Sequence, residues 1–301
     1  MSRRVPEGPP PAPAVQRLRL RYAKRGRLRF SSHRDFARAF ERALRRADLP
    51  MAYSAGFTPH PKISYVGAAP TGVASEAEYV EIALTEARDP AAVRAAVDAA
   101  LPDGLDILEA VPASGGNLPD RMEASHWRID LPGAASTEAQ AALAAFLART
   151  QLRVERLTKA GRREVDVRAA VVWATAGRSP DDDHGILELV VRQATPSVRP
   201  DDVLAALRLV AGFAPAAPPS AVRLAQGPLD ETKQPAVVGD PLAPDRRGVE
   251  AAAPPPSSTA EPGSHQRADD DLAGGFAAAD SPVTTASARS RPSTRPEAEM
   301  E

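Results

Sequence analysis

Two histidines and a run of arginines are the residues of this chain whose types and spacing suit chemistry. His33 stands in Ser31-Ser32-His33-Arg34-Asp35, and His60 lies between two prolines in Gly56-Phe57-Thr58-Pro59-His60-Pro61-Lys62. The prolines restrict the backbone on both sides of His60. Imidazoles titrate near neutrality, so a pair beside arginines could serve acid–base chemistry on an RNA phosphodiester. The plainer reading is that His33 steadies a strand–helix junction and His60 bonds a backbone carbonyl. Without a third partner, contact with a phosphate or base is favoured over proton transfer. Arg17, Arg19, Arg21, Lys24, Arg25, Arg27 and Arg29 precede the histidines, and Lys62, Ser64 and Tyr65 follow. From Arg17 to Lys62 thirteen Lys and Arg face three acids, a net of +10 in a chain of net charge −1. Charge segregated in this way points to a polyanion, above all a nucleic-acid backbone. Phe57 and Tyr65 are candidates for stacking on bases. Aromatics are only 4% of residues, too few for an extended stacking platform.

The elements that must position these groups follow from periodicity. Leu18, Leu20 and Tyr22 alternate with Arg17, Arg19 and Arg21, the pattern of a strand with one face packed and one wet. A turn at Gly26 and renewed alternation over 27–30 predict a hairpin, with Phe30, like Tyr22, on its apolar side. Ser32 and Asp35 make a capping-box start for a helix that carries Phe36, Phe40, Ala43, Leu44 and Ala47 at helical spacing. Short strands are expected over 51–54, 63–69, 78–85 and 105–111, with a helix over 89–101 opened by Pro90. The order matches the βαββαβ of a ferredoxin-like sandwich, helices on one face and the other face open. After Gly115-Gly116 a similar order returns: strands over 125–131, 153–157, 164–175, 185–193 and 221–225, and helices over 137–149 and 199–210. The expected fold is therefore α+β, two tandem ferredoxin-like modules at 14–112 and 113–226. Residues 1–13 and 227–301, rich in Pro, Ala and Ser, are expected to be disordered.

Composition removes several functions. There is no cysteine, so thiolate catalysis, disulfides, zinc–thiolate sites and an iron–sulfur cluster held by this chain are excluded. No cofactor and no metal are expected. Asp181-Asp182-Asp183-His184 reads as a solvated turn, because consecutive residues rarely converge on one ion, and Lys159, Arg162 and Arg163 read as a basic hairpin tip. No apolar run approaches bilayer length, so a cytoplasmic protein without membrane association is expected.

Three stretches carry a family resemblance: RLRFSSHRDFARAFERALRRADLP, AYSAGFTPHPKISY and PTGVASEAEYVEIAL. With Lys159-Ala160-Gly161 and Glu164-Val165-Asp166-Val167-Arg168 in the second half, they resemble the radical-SAM-linked protein family, a domain of unknown function encoded beside or fused to a cobalamin-binding-type radical SAM protein. The chain departs from that pattern at Arg34, where the family usually has an apolar residue, and at Ala169, where it often has proline. The resemblance implies a radical SAM protein as partner and no established chemistry.

The expected function is thus that of a non-catalytic accessory protein binding rRNA or tRNA through the arginine face and the His60 loop. One alternative is a metal-independent endoribonuclease using His33 and His60. Another is a protein-docking module in which the arginine surface meets an acidic partner without nucleic acid.

Overall fold

The computed structural model describes residues 10–158, 161–180 and 184–252. The first half comprises β1 (Gln16–Lys24), α1 (His33–Arg46), β2 (Ile63–Val66), β3 (Ala74–Leu84), α2 (Pro90–Ala100) and β4 (Leu105–Pro112). β1 lies between β4 and β3, β2 takes the far edge of β3, and every pairing among them is antiparallel. Ser32 starts α1 through a reciprocal capping box with Asp35. Asp89 accepts from Ala91 and Ala92 at the start of α2, where Pro90 needs no donor partner. α1 buries Phe36, Phe40, Ala43 and Leu44 against Leu18, Leu20 and Tyr22. The rings of Tyr22 and Phe36 stack 4.2 Å apart.

The second half comprises β5 (Ala124–Leu131), α3 (Ser136–Leu147), a separate hairpin of β6 (Arg153–Thr158) and β7 (Gly161–Asp166), α4 (Val167–Ala170), β8 (Val171–Arg178), β9 (Gly185–Arg192), α5 (Pro200–Ala211) and β10 (Ser220–Gly227). Its strands run β10-β5-β9-β8, again antiparallel. Phe146 and Leu143 of α3 and Val203 and Leu207 of α5 pack on Ile129, Leu131, Leu187 and Leu189. The molecule is α+β, but its two halves share one mixed sheet of eight strands. β10 joins β3 in parallel through Val222↔Ala74 and Arg223↔Ser75.

The structure corrects several sequence expectations. Residues 27–30 are not a returning strand, because β3 and β4 already occupy both edges of β1. Gly26–Phe30 instead winds into a 3-10 helix closed by Leu28 N to Arg25 O at 3.0 Å and Ser31 N to Leu28 O at 2.9 Å. Residues 51–54 form only isolated bridges, Met51↔Leu84 and Tyr53↔Pro61. The strand expected over 164–175 breaks at α4, where the Asp166 side chain accepts from Ala169 N.

Order also continues past residue 227. β11 (Leu229–Asp230) pairs with β12 (Val237–Val238), and α6 (Ala243–Ala252) follows. Leu242 is fully buried with Val66, Tyr79, Val111, Leu118 and Met122, on the sheet face away from α1. The remainder of the tails expected to be disordered, residues 1–9 and 253–301, lies outside the described residues.

Candidate nucleic-acid interface

The face of β1 expected to be open is covered at Arg19, whose charge is spent inside the protein, while Arg17 at its edge stays exposed. Arg19 is 3% exposed. Its Nε donates to Glu81 at 3.0 Å, Nη1 to Asp245 at 2.8 Å and Nη2 to the Gly116 carbonyl at 2.6 Å. Asp245, with no exposed surface, also accepts from Arg121 at 2.7 Å and from Ser114 N at 2.8 Å. Burial alone would raise its pKa. The Ser114, Arg121 and Arg19 hydrogen bonds outweigh burial and hold the carboxyl below the usual carboxylate range.

The neighbouring cations fare similarly. Arg17 pairs with Glu81 at 3.1 Å, and Arg25 pairs with Glu76 and, at 2.6 Å, with Asp106. Lys24 is buried and donates to the Pro70 carbonyl at 3.1 Å; burial pulls its pKa down against the pull of Glu78. Arg21 is half-buried and Arg29 lies over the ring of Phe30 at 4.8 Å. Arg27 is exposed. Of the predicted arginine patch, Arg19 and Lys24 are therefore structural, whereas Arg17 and Arg25 form ion pairs on the exposed surface. Sequence gave no warning, because residues 114–121 and 245 supply the cover.

The two histidines are not brought together. His33 opens α1 and meets Tyr65 edge-on, ring centroids 4.9 Å apart. Tyr65 sits against Phe36 and Phe40 with its hydroxyl buried and unpaired, and burial, then Glu41, raises its pKa. It is a core residue and not a free stacking ring. His60 lies five residues earlier along an extended edge, which spans roughly 16 Å at about 3.3 Å per residue. Its loop is exposed and braced locally, His60 N donating to Ser54 Oγ at 3.1 Å and Ser54 N to His60 O at 2.8 Å. Phe57 is 71% exposed, and Lys62 and Ser64 are exposed on the same edge.

Five guanidinium groups that remain available are gathered on α1. Arg34, Arg38, Arg42, Arg45 and Arg46 are all exposed, and none forms an ion pair among the described residues. Arg34, Arg38 and Arg42 recur every fourth residue, which puts them on one face. Arg42 and Arg46 also line a cleft of about 590 Å³ against Ala96 and Ala100 of α2 and Pro102 just beyond it. Of the two acids within α1, Asp35 is committed to the cap, its pKa lowered first by its bonds to Ser32. The sequence shows this row as spacing alone; its freedom from carboxylates depends on the tertiary fold. β2 lies against α1 through Tyr65, so the His60 loop and the helix share one flank.

In the second half, Arg162 pairs with Glu155 at 3.2 Å. Lys159 and Asp181-Asp182-Asp183 lie outside the described residues. No group of three or more potential metal ligands occurs among the described residues, and no helix there is long and apolar enough to cross a membrane.

A family of uncharacterised proteins conserved in bacteria, DUF2344, matches residues 17–200, well over half of the chain. The chain belongs to this family. The DUF2344 match runs from β1 to the first residue of α5, so it contains Arg19, α1 and the His60 loop but not Asp245 or α6. No curated protein is detectably similar in sequence.

Proposed function

We propose that this chain is a non-catalytic RNA-binding accessory protein that meets RNA with the exposed face of α1 and the flanking His60 loop. The observation that carries the reading is the row Arg34, Arg38, Arg42, Arg45 and Arg46, exposed and outside any ion pair among the described residues. Unpaired guanidinium groups release counterions when they meet phosphates, which is the main source of sequence-independent affinity. Phe57 and His60 add a ring and a donor beside that row, and phosphate contacts rather than base edges dominate the interface. The separation of His33 from His60 supports binding over cleavage. The strand orders β4-β1-β3-β2 and β10-β5-β9-β8 support reading each half as a ferredoxin-like sandwich fused edge to edge. The partner is a radical SAM protein, as the sequence resemblance implies, with the reactive cofactor held by that partner.

Filter binding of structured and single-stranded RNA at several salt concentrations tests the reading. Affinity should fall with salt, and replacing Arg34, Arg38 and Arg42 by Gln should flatten the slope by about two to three units, at about 0.7–0.9 per phosphate contact. Absence of RNA affinity, or an unchanged slope in the triple variant, removes the proposal.

A further inference from the structure

β2 and β10 both pair with the outer edge of β3, and where they part a cavity of about 220 Å³ lies between the two halves of the sheet. Arg223 of β10, 4% exposed, lines it with its guanidinium 5.3 Å from the Trp127 ring centroid. That guanidinium holds Glu78 through Nη2 and Ser75 through Nε at 3.4 Å. Its Nη1 has no protein partner among the described residues. Behind the lining, Glu78 carries one charge against two buried cations, Arg223 and Lys24, and the lining adds Arg192, which is paired with Glu231. Arg199, just ahead of α5, joins the lining from the exposed side without an ion pair.

The remaining polar groups are equally unmatched. Ser125 is buried in the lining and makes no side-chain hydrogen bond among the described residues. Gln226 is 3% exposed, lines the same cavity, and its Oε1 is buried without a partner. An orphaned buried amide is costly and persists where something else satisfies it. The loop after β2 closes on this amide at Gly67, where φ is +56° and a Cβ would stand 2.3 Å from Gln226 Nε2. The left-handed φ favours glycine there, and any larger residue would have to displace the Gln226 amide. No Asp or Glu lines the cavity.

We propose that this cavity binds a small phosphomonoester, its phosphate on Arg199, Arg223 and Ser125 and a hydroxyl of its carrier on the Gln226 amide. Donors in excess with no lining carboxylate select an anion, and an amide that both donates and accepts suits a hydroxylated carrier. The volume is below the roughly 300–1,000 Å³ of drug-sized pockets, which suits a sugar phosphate better than a whole nucleotide. The site lies apart from the α1 arginines and does not depend on RNA binding.

Calorimetric titration of the full chain with ribose 5-phosphate, inorganic phosphate and ribose at constant ionic strength tests it. Ribose 5-phosphate should bind, inorganic phosphate at least fivefold more weakly, and ribose not at all. Arg199→Ala should weaken ribose 5-phosphate about tenfold without changing the melting temperature of the free protein. Gln226→Met should weaken binding while leaving the free protein as stable or more so, whereas a structural amide would make that variant less stable. Equal affinity for inorganic phosphate would overturn the carrier contact. No binding of ribose 5-phosphate, or binding unaffected in both variants, would overturn the site.

Discussion

The Asp245 carboxylate takes hydrogen bonds from Arg19, Arg121 and the Ser114 amide with no surface left to water. Breaking a buried pair by removing one partner strands the other charge, at a cost of about 3–5 kcal/mol. Asp245→Ala should lower unfolding stability by that amount in urea titrations, with Asp245→Asn losing less because it keeps a carbonyl acceptor. The folded pKa of Asp245 is depressed, so its contribution is complete above the unfolded carboxylate value of about 3.9 and is lost as pH falls through the folded value. Acid unfolding of the wild type should therefore steepen below about pH 4, and the Asp245→Asn chain should lack that component. None of this was readable from Arg19 itself. Alternation correctly placed its side chain opposite Leu18 and Leu20, but what covers that side is 226 residues away in sequence.

Elements whose cause is local were the legible ones. α1 begins at the expected cap, buries the expected Phe36, Phe40, Ala43 and Leu44 and stops before Pro50, because cap, spacing and breaker are all contained in its own segment. Ser32→Ala should cost about 1 kcal/mol, measured by thermal or chemical unfolding, and leave RNA affinity per folded molecule unchanged. Residues 27–30 show the converse. Their alternation is genuine, yet a strand needs an edge to pair with, and both edges of β1 are taken. Likewise the helix row at Arg34, Arg38 and Arg42 was visible as spacing, while its availability depended on which carboxylates Arg17, Arg19 and Arg25 had already claimed.

Across the whole molecule, one sheet of eight strands joins halves that the sequence suggested were separate modules. The two-residue parallel contact of β3 and β10 has no local signature, since parallel neighbours arise from distant segments. Composition misled in the same way beyond residue 227: a Pro- and Ala-rich stretch needs only a few anchors to order it, and Leu242 and Asp245 supply them. A chain ending at residue 227 should melt several degrees lower and bind heparin more tightly than the full chain, as Arg19 and Arg121 lose their shared carboxylate. Unchanged melting and unchanged heparin elution would contradict that.

The distance between Arg19 and its cover also sets a schedule for biosynthesis. At about 5–20 residues per second, roughly 10–45 s separate the translation of Arg19 from that of Asp245, which follows it by 226 residues. Through that interval the growing polypeptide carries Arg19 and Arg121 without their shared carboxylate while still attached to a ribosome built largely of RNA, until α6 supplies it.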